Sequence, residues 1–299
     1  MSDLIWSRDG CDWPNREAST FVEAAGIRWH VQRTGEGPRL LLLHGTGAAT
    51  HSWRGLMPML ARQFAVIAPD LPGHGFTRSP PAQRLSLPGM ATDVSQLLGA
   101  LDVKPEIAVG HSAGAAILAR MCLDGTIAPR LLVSLNGAFM PFGGVANQLL
   151  SPLAQLLVMN PLVPRLFAWQ ASTAGAVERL IQNTGSSIDP QGIALYGRLV
   201  RSPAHVAAAL RMMANWRLRP LLHDLPQLTT NLLLVAADND RSISPDVARQ
   251  VREIYPQATI EHLPGLGHLA HEEQPQRIAD LITGYAARTN GAGQHRPAL

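Results

Sequence analysis

The sequence predicts an α/β fold in which a doubly wound, mostly parallel sheet carries helices on both faces, and two observations support this. First, short runs that are apolar almost throughout alternate with longer stretches of helical periodicity, which is typical of parallel strands covered on both faces. The predicted parallel strands are residues 40–44, 64–68, 107–110, 131–135, 232–236 and 259–263. Second, residues 26–34 alternate apolar and polar side chains, which predicts an earlier antiparallel strand.

Helical periodicity fills most stretches between these strands. The helices predicted there are residues 53–62, 87–101, 113–123, 245–254 and 275–287. The alternation with strands stops between residues 139 and 225, where four helical segments follow one another: residues 149–159, 175–182, 192–201 and 204–216. An insertion of this size between two late strands predicts a helical lid over the carboxyl ends of the strands, where ligands bind in open α/β sheets.

The same patterns predict how the chain is divided. We expect residues 1–138 and 226–288 to form the core and residues 139–225 to form the lid, or cap. Residues 289–299 contain Gly, Asn, Gln and Pro and are expected to be a disordered tail. Hydrophobic residues make up 46% and charged residues 16% of the chain, which is typical of a folded globular protein.

Charge and composition exclude several classes of protein. The formal net charge is only +3, Lys104 is the single lysine and no basic run occurs, so we expect no nucleic-acid partner. Because no signal peptide and no spanning apolar run is found, we expect a cytoplasmic protein with at most peripheral membrane contact. Cys11 and Cys122 form no disulfide framework, and phosphate-loop and zinc-protease motifs are missing, so no cofactor and no metal are expected.

The strongest chemical signal is the pentapeptide Gly-His-Ser-Ala-Gly at residues 110–114. It follows a predicted strand and opens a predicted helix, which is the setting that a Gly-x-Ser-x-Gly nucleophile elbow requires. The small residues on both sides allow a tight turn that lifts the hydroxyl of Ser112 above the sheet edge, at a helix N-terminus that favours a developing anion. Ser112 is therefore the predicted nucleophile.

A second loop, His-Gly-Thr-Gly at residues 44–47, directly follows the first parallel strand. An oxyanion hole needs two backbone N–H donors that point at one site, and we predict that Ala113 and Thr46 supply them. His44, Gly45 and His111 flank these positions and are expected to be adjacent to the pocket. We also expect His74 to be adjacent to the pocket, and we expect neither His74 nor His111 to act as a base. The Asp70 turn, Asp-Leu-Pro-Gly-His-Gly, is predicted to shape the pocket floor without taking part in catalysis.

A serine hydroxyl needs a base near neutral pH, and the histidines after the last strand are the candidates. His268 lies in a loop with two glycines that follows this strand, so its ring can reach the sheet edge. His262, within the strand, could be a packed or a surface residue, and His271 could be a solvent-facing helix cap. We prefer His268 as the base.

The acid that orients this base should follow the preceding strand, because the usual chain order of this arrangement is serine, acid, histidine. Asp238 and Asp240 both lie there. Asp240 fits better, because the loop resembles the pattern common in the fold family that these motifs resemble: an acidic residue, any residue, Asp, Arg, any residue, an apolar residue, then a small residue or Pro before the next helix. We predict that Asp240 holds the imidazole in the correct tautomer and that Asp238 shapes the turn.

These motifs in this order resemble the α/β-hydrolase superfamily over about residues 21–288. The resemblance implies the α/β-hydrolase fold, and serine at position 112 separates the chain from the branches with an aspartate nucleophile. Four segments are similar to the magnesium-chelatase accessory proteins of bacteriochlorophyll biosynthesis: residues 12–19, 43–53, 110–116 and 215–221. This second resemblance implies a role beside magnesium insertion into protoporphyrin, and Trp216 in the last segment is expected to be adjacent to the pocket.

The sequence therefore leads to two functional hypotheses. The first is a serine hydrolase that cleaves an ester or related acyl bond of an apolar or amphipathic small molecule, such as an acyl ester or a tetrapyrrole. The second is a non-catalytic protein that binds a tetrapyrrole or assists magnesium chelatase on the same fold. Seven arginines between residues 139 and 225 could pair with carboxylates, although most of them are expected to point to solvent: Arg165, Arg179, Arg198, Arg201, Arg211, Arg217 and Arg219.

Overall fold

The computed structural model describes residues 4–141, 160, 162–170, 173 and 175–292. Its centre is an eight-stranded sheet with the strand order β1-β2-β4-β3-β5-β6-β7-β8. The strands are β1 (Ser19–Ala24), β2 (Ile27–Thr34), β3 (Arg39–Leu43), β4 (Ala65–Pro69), β5 (Ile107–His111), β6 (Leu131–Leu135), β7 (Asn231–Ala237) and β8 (Thr259–Leu263). β2 pairs antiparallel with β1 and β4, and all the other neighbours are parallel. The predicted fold class is confirmed.

The sequence missed one strand, β1, at the sheet edge. Five of the six residues of β1 are exposed or half-buried. An edge strand has one free side, so it does not require the continuous apolar run that identifies central strands. The seven predicted strands are present with ends shifted by at most two residues.

The helices cover both faces of the sheet. They are α1 (Trp6–Asp9), α2 (Leu56–Leu60), α3 (Leu87–Ala100), α4 (Ala113–Leu123), α5 (Leu162–Gln170), α6 (Ala176–Asn183), α7 (Pro190–Val200), α8 (Pro203–Ala214), α9 (Arg219–Asp224), α10 (Asp246–Ile254), α11 (Ala270–Glu273) and α12 (Pro275–Ala292). The helix predicted from residue 53 starts only at Leu56, after a 3₁₀ turn at Thr50–Trp53. Pro58 explains the late start, because proline clashes with the carbonyl four residues before it.

β3 shows how the sheet is buried on both faces. Leu41 and Leu43 belong to one hydrophobic cluster, with side chains of α3, α4 and α10. Leu40 and Leu42 point the other way, into a second cluster with α2 and α12. All four side chains are fully buried. The run is apolar throughout because helices cover both faces of the strand, as the sequence predicted.

Five described helices, α5 to α9, lie between β6 and β7, and we call them the helical insertion. The residues described between these two strands contain no strand, as predicted. α7 and α8 begin at Pro190 and Pro203, earlier than predicted, because proline fits the first turn of a helix. Asp189 and Ser202 cap them by accepting a backbone N–H. The helix predicted at residues 149–159 lies outside the described residues, and α5 and α9 were not predicted.

The end of the chain differs from the prediction in one respect. α12 runs to Ala292, so the first residues of the predicted disordered tail are helical. The rest of that tail lies outside the described residues. Among the helices that the structure describes, none is both long and apolar enough to cross a membrane.

Substitution of Gly114 by alanine tests the close packing of α4 on the sheet. A Cβ at Gly114 would lie 2.2 Å from the carbonyl oxygen of Leu43, and backbone cannot move away as a flexible side chain can. We expect Gly114→Ala to lower the free energy of unfolding by about 3 kcal/mol, measured by urea denaturation. Gly99→Ala in α3 is the matched control, because a Cβ there meets nothing within 4 Å. It should be neutral or stabilise by up to about 1 kcal/mol, and equal stability of the two variants would contradict the packing argument.

Candidate active site

The predicted site residues come from separate strands and meet at one edge of the sheet. β3, β5, β7 and β8 are parallel, so the loops that follow them emerge at the same edge. These loops carry Thr46, Ser112, Asp240 and His268, in this order. The topology explains why residues far apart in sequence share one site.

Ser112 occupies a strained turn between β5 and α4. Its backbone has φ 51° and ψ −116°, which a non-glycine residue rarely adopts. A Cβ at Gly110 would lie 2.4 Å from the backbone nitrogen of Ala115, so the turn needs glycine there. The backbone N–H of Ser112 donates to the carbonyl of Leu135 at 3.0 Å, which fixes the turn to β6.

A short hydrogen bond joins His268 to Asp240. His268 Nδ1 donates to Asp240 Oδ2 over 2.7 Å. The other carboxylate oxygen, Oδ1, accepts the backbone N–H groups of Ser242 and Ile243 at 2.7 and 2.8 Å. The Asp240 side chain is 1% exposed, and its two carboxylate oxygens accept these three hydrogen bonds within the protein.

The alternative acid and histidine form a pair of their own on the surface. His262 Nδ1 lies 3.3 Å from Asp238 Oδ1, and both side chains are exposed, at 61% and 45%. His271 is buried and its Nε2 lies 2.8 Å from the hydroxyl of Ser52, so the expectation of a solvent-facing cap was wrong. None of these three residues lines the cavity beside Ser112.

A cavity of about 380 Å³ lies beside Ser112 and His268. Its lining includes Ser112, His268, Thr46 and Ala113, together with a mainly apolar wall: Ala48, Ala138, Leu180, Ile181, Val200, Val206, Ala209, Leu210, Met213, Ile243 and Leu269. The volume lies in the range that small-molecule sites occupy. The Ser112 hydroxyl accepts and donates no hydrogen bond in the part of the chain that the structure describes, so it is available to a ligand.

The two predicted oxyanion donors are backbone N–H groups in loops beside Ser112. Within the described ranges, the backbone N–H groups of Thr46 and Ala113 donate to no carbonyl or side chain. Gly45 brings the Thr46 loop close to the serine, because a Cβ on Gly45 would lie 3.0 Å from the Ser112 Cβ. Two free N–H groups beside a serine hydroxyl can bind an oxygen that carries negative charge.

Three of the four residues expected to be adjacent to the pocket line it, namely Gly45, His111 and Trp216. His44 is fully buried and absent from the lining. Its Nε2 accepts the backbone N–H of Leu71 at 2.9 Å and its Nδ1 donates to the carbonyl of Gly45 at 2.8 Å. His44 therefore stabilises the Thr46 loop from outside the cavity.

The Asp70 turn holds the loops beside the site together. Asp70 Oδ1 accepts the N–H of Thr50 at 2.7 Å, and Oδ2 accepts the N–H of Phe76 at 2.9 Å and lies 2.8 Å from His30 Nδ1. Burial opposes the charge of Asp70, but His30, His44 and the N–H of Phe76 outweigh it and hold the pKa of Asp70 well below its usual range. These contacts agree with the predicted structural role of the turn.

Sequence reasoning missed Asn136, which connects β7 to the loop of His268. Its amide nitrogen donates to the carbonyls of Gly267 and His268 at 3.1 and 2.9 Å, and its amide oxygen accepts the N–H of Ala237 at 2.8 Å. Asn136 has φ 48° and is buried. Its place directly after β6, at the edge where the ligand site lies, was the available signal.

His205 of α8 was missed as well. It lines the cavity, donates from Nε2 to the carbonyl of Gly47 at 3.1 Å and accepts the N–H of Gly75 at Nδ1 over 3.1 Å. His205 thus connects the helical insertion to the Thr46 loop and to the Asp70 turn. No local motif marks it, because both of its partners are distant in sequence.

Comparison with known proteins agrees with this geometry. Residues 40–281 match the Alpha/beta hydrolase family, and the chain belongs to this family. It is 39% identical to the magnesium-chelatase 30 kDa subunit of Rhodobacter capsulatus over an aligned region of 273 residues. This region covers 91% of this chain and 95% of that protein. The predicted resemblance to this kind of protein is therefore confirmed.

More distant relatives share the fold. The chain is 25% identical to the pimeloyl-[acyl-carrier protein] methyl ester esterase of Nitrosospira multiformis, over 86% of this chain and 97% of that protein. An alpha/beta hydrolase fold protein from Burkholderia ambifaria superposes with a TM-score of 0.75 at 23% identity, over 89% of this chain and 97% of that one.

The buried histidines near the site predict how stability depends on pH. Burial lowers the pKa of His205 to about 4 and that of His271 to about 3. The native protein keeps both rings neutral, whereas the unfolded chain binds protons below about pH 6.5. The unfolded state therefore takes up more protons, and stability should fall as the pH falls from 6.5 towards 4, by up to about 1.4 kcal/mol per pH unit for each ring.

Urea denaturation at pH 7, 6 and 5 measures this slope. We expect His205→Gln to make the decline less steep, because one buried titrating group is removed. His262→Gln is the control, since that side chain is 61% exposed, and it should leave the slope unchanged. Stability that stays constant between pH 7 and 5 would refute the prediction.

Proposed function

We propose that this protein is a serine hydrolase that cleaves an ester or related acyl bond of an uncharged, largely apolar small molecule. One observation supports this most: a serine in a strained strand-to-helix turn shares a cavity with a histidine that is hydrogen-bonded to a buried aspartate. In this proposal Ser112 is the nucleophile, His268 the base and Asp240 the acid. Membership in the Alpha/beta hydrolase family, shown by the match over residues 40–281, supports the same chemistry.

The proposed reaction proceeds in two halves. Ser112 Oγ attacks the acyl carbon while His268 Nε2 accepts the hydroxyl proton, and the carbonyl oxygen becomes an oxyanion bound by the N–H groups of Thr46 and Ala113. His268 then gives the proton to the leaving alcohol, and an acyl-enzyme remains. Water, deprotonated by His268, attacks the acyl carbon, the bond from that carbon to Ser112 Oγ breaks, and His268 returns the proton to Oγ, so that the acid and the free serine are released. Asp240 keeps Nδ1 protonated, so that Nε2 can accept a proton.

The cavity wall supports an uncharged substrate. None of the side chains that line it in the described part of the chain belongs to Lys, Arg, Asp or Glu. Five of the seven arginines of the insertion are exposed to solvent: Arg165, Arg179, Arg201, Arg217 and Arg219. Arg198 pairs with Asp12 at 2.6 Å, outside the cavity. A carboxylate in the cavity would therefore lack the partner that a buried charge requires.

The helical insertion would act as the lid of this site. Leu180 of α6, Tyr196 of α7 and Val206 of α8 line the cavity together with Ser112 and His268. We propose the division of the sequence prediction, with residues 139–225 as the lid and residues 1–138 and 226–288 as the core. A lid of this kind excludes bulk water from the apolar cavity and so strengthens the electrostatic interactions inside it.

A second proposal concerns the place of this reaction in the cell. The similarity to a magnesium-chelatase subunit extends over 95% of that protein, which supports association with magnesium chelatase and a role near tetrapyrrole metabolism.

In the alternative function without catalysis, the cavity would only bind a tetrapyrrole. Titration with protoporphyrin, followed by fluorescence quenching, separates the two: tight binding to wild type and Ser112→Ala alike, without ester hydrolysis, would favour the alternative.

Substitution of Ser112 and of the two aspartates after β7 tests the assignment of the nucleophile and of the acid. For the nucleophile, we expect Ser112→Ala to abolish hydrolysis of p-nitrophenyl butyrate and labelling by a fluorophosphonate probe. Asp240→Asn should lower kcat by about 10⁴-fold, because the imidazole would lose its correct tautomer. Asp238→Asn is the matched control: its carboxylate is 45% exposed and, among the residues that the structure describes, pairs only with the surface residue His262, so activity should stay within about twofold. Equal labelling of wild type and Ser112→Ala would remove Ser112 as the nucleophile.

A pair of esters tests the proposed substrate class. The p-nitrophenyl esters of hexanoic acid and of adipic acid have similar length, but the second ends in a carboxylate. We expect kcat/KM to be at least about 100-fold lower for the adipate ester, because burial of an unpaired charge costs several kcal/mol. Equal kcat/KM for both esters would show that the cavity accepts a carboxylate and would overturn the uncharged-substrate proposal without affecting the nucleophile.

A further inference from the structure

The loop between α6 and α7 contacts both loops that carry the acid and the base. We call residues 184–186 the bridging loop. The carbonyl oxygen of Thr184 accepts the backbone N–H of Arg241, next to Asp240, at 3.1 Å. The same oxygen accepts the backbone N–H of His268 at 3.3 Å. One carbonyl of the helical insertion therefore connects the acid loop after β7 to the histidine loop after β8.

Ser186 makes a third connection. Its hydroxyl oxygen accepts the backbone N–H of Leu269, the residue after His268, at 2.8 Å. Ser186 is 3% exposed and does not line the cavity, whereas Leu269 does. The bridging loop therefore accepts two consecutive backbone N–H groups, that of His268 and that of the next residue, Leu269.

Glycine allows the backbones to approach this closely. Gly185 has φ +84°, and a Cβ there would lie 1.9 Å from the carbonyl oxygen of Asn239 in the acid loop. A Cβ on Gly267 would lie 2.2 Å from the carbonyl oxygen of Gly185. Any larger residue at either glycine would push the bridging loop away from the acid loop or the histidine loop.

We propose that the bridging loop is a positioning element that sets the geometry of the Asp240–His268 pair, so that the base is aligned only while the helical insertion is seated on the core. This inference rests on the proposed function, because it concerns the same site. The acid loop and the histidine loop belong to different strands, and the bridging loop supplies hydrogen bonds to both. Thr184 lines the cavity, whereas Gly185 and Ser186 do not, so these two residues act through His268.

Buried polar contacts also fix the helical insertion to the core. Tyr196 of α7 donates its hydroxyl to Glu272 Oε1 at 2.7 Å, and Ser52 donates to the same oxygen at 2.7 Å. His205 of α8 binds the carbonyl of Gly47 at 3.1 Å. Movement of the insertion away from the core would break these bonds together with those of the bridging loop. Lid position and alignment of the base are therefore coupled.

Ser186→Ala tests this role with little steric change. We expect kcat for p-nitrophenyl butyrate to fall roughly tenfold with KM within about twofold, because the histidine is displaced while the cavity stays intact. Ser202→Ala is the matched control. Ser202 is also 3% exposed, also lies in the insertion and also accepts one backbone N–H, but from His205 in its own helix. It should keep kcat within about twofold of wild type.

A spectroscopic readout separates positioning from other effects. The imidazole proton between His268 Nδ1 and Asp240 should give a far-downfield proton NMR signal in the resting protein, whether or not it hydrolyses esters. We expect this signal to shift or broaden in Ser186→Ala and to stay unchanged in Ser202→Ala. Gly185→Ala should show the same change more strongly, with a fall in kcat of about 100-fold. Gly125→Ala, at φ +67° with nothing within 4 Å of its Cβ, controls for backbone strain.

The outcomes distinguish this inference from the proposed function. If wild type hydrolyses esters but Ser186→Ala matches Ser202→Ala in kcat and in the downfield signal, the positioning role is refuted while the hydrolase stands. If wild type hydrolyses no ester and binds no fluorophosphonate, the proposed function fails, and the NMR comparison still decides whether the bridging loop sets the Asp240–His268 geometry. Thermal melting confirms for each variant that the fold is retained.

Discussion

The turn at Ser112 is the constraint on which the rest of the site depends. A parallel strand must end and a helix must begin within one residue, and the backbone meets this demand with φ 51° and ψ −116°. Such a conformation costs about 1–3 kcal/mol and persists only where the surroundings fix it. Here β5 lies between β3 and β6, and α4 packs against β3 so closely that only glycine fits at position 114. The sheet core therefore holds the serine in a strained but defined position.

The remaining groups reach the serine because parallel strands end together, but strand ends alone do not fix side chains. Buried polar contacts do this. Asn136 connects β7 to the histidine loop, and the Asp70 turn holds the segment after Thr46. His205 and the bridging loop add contacts from the helical insertion. In a buried site, each polar group without a partner costs free energy, so these networks favour one arrangement of the loops.

The sequence was informative where the cause of the structure is local. Central strands are buried on both faces, so their apolar runs identified them, and the elbow at Ser112 needs small neighbours that stand beside it in sequence. β1 was missed because its exposed edge imposes no pattern. The choice between Asp240 and Asp238 rested on a short loop pattern, and the structure shows that each aspartate has its own histidine. His205 and the bridging loop escaped prediction because their partners are distant in the chain, and no spacing rule encodes such contacts. For Asn136, the position directly after β6 was the one available signal.

The central claim is that Ser112, His268 and the two free N–H groups act on one reacting atom. The most direct measurement is a crystal structure of the protein after reaction with a p-nitrophenyl alkylphosphonate, which imitates the tetrahedral intermediate. We expect phosphorus bonded to Ser112 Oγ, its charged oxygen within hydrogen-bond distance of the N–H groups of Thr46 and Ala113, and His268 Nε2 facing the serine oxygen. An unmodified Ser112, or an adduct whose charged oxygen points away from both N–H groups, would contradict the account.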